Sequence, residues 1–242
     1  MSSTNIAAEG TPARTGIPRA VEAAVAGLGC VVCLPVLGVM ALGVRASSPG
    51  PVLFRQRRVG RGGVEFTLLK FRTMRINSEA MQVTAKGDRR ITRLGRWLRK
   101  LKLDELPELW NVVRGDMSLV GPRPEVPRYV DLANPLWRAV LLARPGITDP
   151  VTLRLRNEEE LMAAEAGDRE RFYLETLQPY KLVGYLHYLQ HRSFLSDVGV
   201  ILRTVLAVLV PAVASPPPLE EIREIAATAA AASSLGGSAQ SS

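Results

Sequence analysis

The chain has 242 residues and 47% apolar content, enough for one domain of ordinary size with a core and tails. Its formal net charge of +8 points to an anionic partner: a nucleic acid, a phosphorylated substrate or an anionic membrane. Aromatic residues are only 5%, few for a base-stacking surface, and no helix-turn-helix or zinc-finger spacing occurs, so nucleic acid is the disfavoured choice.

Residues 1–18 are rich in Ser, Thr, Ala, Gly and Pro and read as a disordered leader. Residues 23–44 then carry no charge; as a straight helix they would reach about 33 Å, the thickness of a bilayer core. Three readings compete. A signal peptide would use Arg14 and Arg19 as its basic region, with a small-residue site near Ala41. A spanning helix would place the body outside. A re-entrant hairpin would return to the face it entered. Pro35, in the middle of the run, favours the bend. So do the basic flanks, Arg14 and Arg19 before and Arg45, Arg55, Arg57, Arg58 and Arg61 after, which frustrate a single crossing.

The turn cluster Ser47-Ser48-Pro49-Gly50-Pro51 closes this segment. Residues 52–59 and 64–71 are β-prone runs around Gly60-Arg61-Gly62-Gly63, a predicted hairpin. Lys70 and Arg72 share one strand face, from which both could meet an anion or simply be solvated. Residues 88–101 predict a basic amphipathic helix, suited to a membrane interface or to an ordinary surface.

The next stretch, RKLKLDELPELWNVVRGDMSLVGPRPE (99–125), is the chemical centre. Asp104 and Glu105 stand side by side behind Arg99, Lys100 and Lys102. Asp104 is predicted to cap a helix, with Pro107 in its first turn and Leu106, Leu109, Trp110 and Val113 as its buried face. Gly115 stops that helix, and a rigid loop follows with Arg123. Acids ringed by cations at a helix start suit phosphate chemistry, although such acids also simply complement the helix dipole.

Beyond it, residues 126–132 and 135–142 predict short helices, and 158–166 and 169–190 longer ones. Residues 198–210 are apolar but too short to span, so they predict a core or interfacial helix. Residues 212–242, rich in Ala, Ser and Pro, read as a floppy tail. Cys30 and Cys33 lie among apolar residues with no cation to activate a thiol, so they read as inert. His187 and His191 are spaced to share a metal on one helix face but lack the glutamate of a zinc-protease motif.

Several segments, in order, resemble the bacterial sugar transferases, the monotopic polyprenyl-phosphate phosphoglycosyl transferases. They are SSPGPVLFRQRRVG, LLKFRTM, GDRRITRLGRWLRKLKLDELPELWNVVRGDMSLVGPRPE, ARPGIT and RSFLSDVGVILRTV, covering roughly residues 19–210. The resemblance implies transfer of a phospho-sugar from a UDP-sugar to undecaprenyl (polyprenyl) phosphate, with UMP released. Asp104 would be the nucleophile, forming an aspartyl-phosphosugar, and Glu105 would help hold Mg²⁺. Lys70, Arg72, Arg99 and Arg123 would bind substrate phosphate; Arg144, Gly146 and Thr148 match a further segment, expected near the nucleotide.

The implied fold is α+β and mostly helical. A proline-bent re-entrant helix (19–46), interfacial helices and a small β-hairpin surround a compact catalytic domain (47–211). The implied place is the cytoplasmic face of the inner membrane, on anionic lipids, in the minimal form of the family without extra spanning helices. A homo-oligomer is compatible with the sequence. Two departures bear on the bend: Cys33-Leu34-Pro35 replaces the usual Ser-Pro, and Glu22 replaces the usual Asp.

Overall fold

The computed structural model describes residues 15–75, 88, 90–156, 158–165, 167–210 and 217–238, with side chains for all of these but 159 and 232–238. Most of the expected leader and the ends of the expected tail lie outside them. Two helices open the fold, α1 (Arg19–Val32) and α2 (Leu34–Ser47), bent by 61° at Cys33. Pro35 falls at the start of α2, where it has no N–H to extend the ladder of α1. Among the described residues no single helix is long and apolar enough to cross a membrane, but this bent pair meets length and composition together. Val25, Leu28, Val31, Val32, Leu34, Val39 and Leu42 leave its outer face apolar and exposed.

The predicted hairpin forms: β1 (Leu53–Val59) pairs antiparallel with β2 (Glu65–Phe71), register Leu53↔Phe71 to Val59↔Glu65. Its turn needs Gly62 and Gly63, at φ 68° and 79°. The basic helix α3 is shorter than expected, Arg93–Lys100, because Thr92 caps it by accepting the Gly95 N–H. A 3₁₀ turn, Leu103–Glu105, leads into α4 (Glu108–Arg114). Gly115 ends α4 at φ 94°, as the sequence predicts.

The loop expected after it contains β3 (Ser118–Val120), which pairs in parallel with β4 (Gly146–Thr148). Between them lie one 3₁₀ turn, Pro127–Tyr129, in place of the expected helix, and α5 (Pro135–Val140). Then come α6 (Pro150–Arg154), α7 (Glu158–Ala164), α8 (Arg169–Phe172), a π-helical turn Tyr173–Leu177, α9 (Gln178–His191) and α10 (Phe194–Leu209).

The tail corrects the sequence expectation. Residues Leu219–Ser238 form α11, which lies on α9 and the π turn. Ile222, Ala226 and Ala229 recur on one face and are buried, with Ile222 fully covered in the largest core cluster beside Leu136, Trp137 and Tyr185. Two smaller clusters bind the bent pair to the body. Ala26 packs with Leu68, Val112 and Met117; Met40 and Val44 pack with Phe71 and Leu98. If α11 is part of the core, Ile222→Ala will cost about 2–5 kcal/mol in denaturant-induced unfolding, the range for a buried aliphatic truncation. An unchanged midpoint would mean that α11 is not docked.

Candidate active site

The turn carrying the acid pair is made by its backbone. Leu101 closes α3, and Lys102 adopts the left-handed conformation at φ 56° before the 3₁₀ turn begins. Asp104 therefore does not cap α4, as expected from sequence; Pro107 stands at that position and α4 starts at Glu108. Trp110 is exposed, and the buried face of α4 is Glu108, Asn111 and Val112. Leu109 and Val113 are partly buried against the cluster around Ala26 and Val112, as expected, while Glu108 pairs with Lys70 and Asn111 faces β2.

Asn111 explains how the strand meets the acids. Its Oδ1 accepts the Leu69 N–H at 3.1 Å and its Nδ2 donates to the Thr67 carbonyl at 2.7 Å. The open edge of β2 is thereby stitched to α4, and Lys70 lands between two carboxylates. Lys70 Nζ lies 2.8 Å from Glu105 Oε1 and 3.2 Å from Glu108 Oε1. The second contact is an ion pair only, since Glu108 Oε1 receives no well-angled hydrogen bond. Arg123 Nη2 donates to Glu105 Oε1 at 2.6 Å, and Lys102 Nζ stands 3.9 Å from that same oxygen.

Arg123 is placed by its loop: the Glu125 carboxylate accepts from Arg58 and from the Tyr173 hydroxyl, and Arg58 donates to the Pro124 carbonyl at 2.8 Å.

The electrostatics separate the three acids. Burial pushes the Glu105 carboxyl up, but Arg123, then Lys70 and Lys102, hold it well below the usual range, so it is ionised. Burial and then the Glu105 charge raise Asp104, against Lys70, Lys102 and Arg99. Burial likewise raises Glu108, with Lys70 opposing and Glu105 adding. Asp104 is 8% exposed, and its Oδ1 is buried without a hydrogen-bond partner. A buried orphan acceptor next to an oxygen ringed by cations is an arrangement that a ligand would complete.

Not every predicted residue joins this cluster. Arg72 lies one position past β2 and is bound elsewhere; its guanidinium donates to the carbonyls of Ser48 (2.7 Å), Val44 (3.4 Å) and Pro49, closing the end of α2. Arg99 is half-buried and its charge reaches Asp104. Gly146 cannot approach a ligand, because it is pressed on Gly121: a Cβ there would lie 2.1 Å from the Gly121 nitrogen. Thr148 shares a 2.8 Å hydrogen bond with Thr204 of α10. Arg144 is half-buried under the influence of Arg19, Glu22, Arg61 and Arg192 rather than of the acid pair. No three His, Cys, Asp or Glu converge as a metal cage among the described residues. His187 and His191 lie with ring centroids 4.6 Å apart, and both cysteines are free.

Sequence reading missed Glu108, Asn111 and the frame behind them. Glu108 and Asn111, one turn apart on one face, were the available signal. The frame begins in α1. Arg19 donates to the Val112 and Val113 carbonyls at the end of α4, and Glu22, 2% exposed, accepts the Leu119 N–H at 3.1 Å. Arg192 donates to the Val120 carbonyl at 2.9 Å and pairs with the buried Asp197 at 2.8 Å. Strand β3, which leads to Arg123, is held from both sides.

The profile of the bacterial sugar transferases matches residues 13–211, and the chain belongs to that family. It is 38% identical over 197 residues to a UDP-glucose:undecaprenyl-phosphate glucose-1-phosphate transferase of Caulobacter vibrioides, covering 79% of this chain and 69% of that one. A UDP-N-acetylgalactosamine-undecaprenyl-phosphate N-acetylgalactosaminephosphotransferase of Aeromonas hydrophila is 35% identical over 75% of this chain, which spans 42% of its length. The exopolysaccharide production protein ExoY of Sinorhizobium fredii is 34% identical over 68% of this chain and 73% of its own.

An acid whose pKa is raised by folding penalises the fold once it ionises. Asp104→Asn should therefore raise the melting temperature at neutral pH in EDTA. The gap should close as pH falls through the raised pKa toward the ordinary aspartate range, where both side chains are neutral. A variant that melts lower at pH 7 would contradict the assigned desolvation.

Proposed function

We propose that the chain transfers a phospho-sugar from a UDP-sugar to undecaprenyl (polyprenyl) phosphate, releasing UMP and leaving polyprenyl-diphosphate-sugar. The observation that carries this reading is the pairing of an unpartnered, buried Asp104 oxygen with a Glu105 carboxylate that gathers Lys70, Lys102 and Arg123. A carboxylate meets a diphosphate against strong repulsion, and only fixed cations at short range offset it.

In the first step an Asp104 carboxylate oxygen attacks the sugar-side phosphorus. The bond from that phosphorus to the bridging oxygen breaks, and UMP carries the electron pair away. In the second step an oxygen of the lipid phosphate attacks the same phosphorus and displaces Asp104. Two substitutions at one centre make the kinetics ping-pong. Arg123 and Lys70, held on Glu105, keep fixed positive charge beside the reacting phosphate in both steps.

Hard oxygen donors with substrate phosphates nearby suit Mg²⁺, which takes one or two carboxylates and keeps waters. Glu105, with the orphan oxygen of Asp104, would hold it, and its charge would offset that of the diphosphate. The bend at Cys33 and the bare apolar outer face of α1 and α2 support a re-entrant anchor. The body would then rest on the cytoplasmic face, with the net charge of +8 favouring anionic lipid.

The test is a panel of radiolabelled UDP-sugars with Mg²⁺ and undecaprenyl phosphate, read as UMP release. Without lipid, label should accumulate on the protein. Asp104→Asn should lower kcat by roughly six orders of magnitude, the scale on which removal of a nucleophile acts. Full turnover by that variant would remove Asp104 from the role.

A further inference from the structure

Lys102 is the one non-glycine residue with positive φ among the described residues. It follows α3 at the position where a helix commonly ends in a left-handed residue, and glycine or asparagine takes that shape with least strain. The turn fixes the shape from both sides: Lys102 N–H donates to the Arg99 carbonyl at 3.1 Å, and its carbonyl accepts the Glu105 N–H at 3.3 Å. A lysine held there is an outlier that asks for a reason in its side chain.

Its side chain differs from the other two cations at Glu105. Lys70 is 16% exposed and shared between Glu105 and Glu108 at 2.8 and 3.2 Å. Arg123 is 27% exposed and bound at 2.6 Å. Lys102 is 41% exposed, and at 3.9 Å its ammonium is beyond hydrogen-bond range of Glu105. An exposed pair at that distance is weak and exchanges its partner at little cost. Moving Lys70 or Arg123 onto an incoming anion would instead strip the buried Glu105 of its close partners.

We propose that Lys102 is the phosphate-capturing cation of this site, leaving Glu105 to contact a phosphate oxygen of the arriving substrate. The inference rests on the transfer reaction proposed above, and its anion is either the diphosphate of the nucleotide sugar or the phosphate of the lipid. The left-handed backbone aims a long, flexible, solvated ammonium at the mouth of the acid turn, while the buried cations hold the floor.

The experiment uses the full chain in lipid particles, with Lys102→Asn, Lys102→Gly and Lys102→Arg. Asn and Gly suit the backbone and remove the charge, so both should melt at or above the wild-type temperature; a loss of activity then reports the ammonium. At low salt, Lys102→Asn and Lys102→Gly should raise KM about tenfold, as expected for one lost charge-assisted contact. Lys102→Arg should stay near wild type. The change should fall on KM rather than kcat, and should shrink at high salt. A rise confined to the nucleotide sugar names the diphosphate as the partner; a rise confined to polyprenyl phosphate names the lipid.

A second readout does not use turnover. Inorganic pyrophosphate, titrated calorimetrically in EDTA, should bind Lys102→Asn about tenfold more weakly than wild type. Equal affinity, or no binding by wild type, overturns the proposal. If wild type releases UMP but neither KM moves in the variants, Lys102 has no capturing role and the reaction stands. If no UDP-sugar is turned over, the reaction falls, and the pyrophosphate titration still decides Lys102.

Discussion

A single carboxylate oxygen, Glu105 Oε1, has a guanidinium and an ammonium within hydrogen-bond range and a second ammonium just beyond it. Removing such charges from water costs several kcal/mol each before their attraction is counted. The fold meets that cost with fixed geometry. Asn111 holds the strand that brings Lys70, the Glu125 network holds the loop that brings Arg123, and the Lys102 turn presents the acids. Lys70 and Arg123 are already ordered before a ligand arrives, which is what gives a charged site its strength.

The cluster also divides labour between acids of one chemical type. Glu105 is kept ionised by its neighbours, whereas burial works against ionising Asp104 and Glu108. Neighbouring acids with opposed environments are what a site needs when one anchors charge and another reacts. Asp104 keeps an orphan oxygen, a local instability that a bound ligand would relieve.

Much of this was legible in the sequence, and the failures have physical causes. The hairpin, the basic helix, the stop at Gly115 and the acid pair beside Lys70 and Arg123 follow from period, turn chemistry and resemblance. Arg72 continues the pairing, its N–H donating to the Val52 carbonyl, but the end of α2 packs beside it and its carbonyls take the guanidinium, a long-range contact that alternation along one strand does not announce. Trp110 was misplaced because its apolar character was read as burial, while the polar Glu108 and Asn111 take the inner face. Gly146 and Thr148 look free for a ligand until β3 arrives beside them, a long-range pairing that no local pattern announces. The tail was read by composition, although Ile222, Ala226 and Ala229 already marked a stripe on which small residues allow close packing.

The bent pair is tied into the body by more than apolar packing. Arg19 closes the far end of α4, Glu22 holds the strand that leads to Arg123, and Arg72 seals α2 against the hairpin. The apolar segment is therefore joined to the reactive turn by polar bonds at its root as well as by grease along its length. A fragment cut to begin after that segment would lose these bonds together with the packing of Ala26, Met40 and Val44: the acid turn cannot be detached from the bent pair without losing its frame.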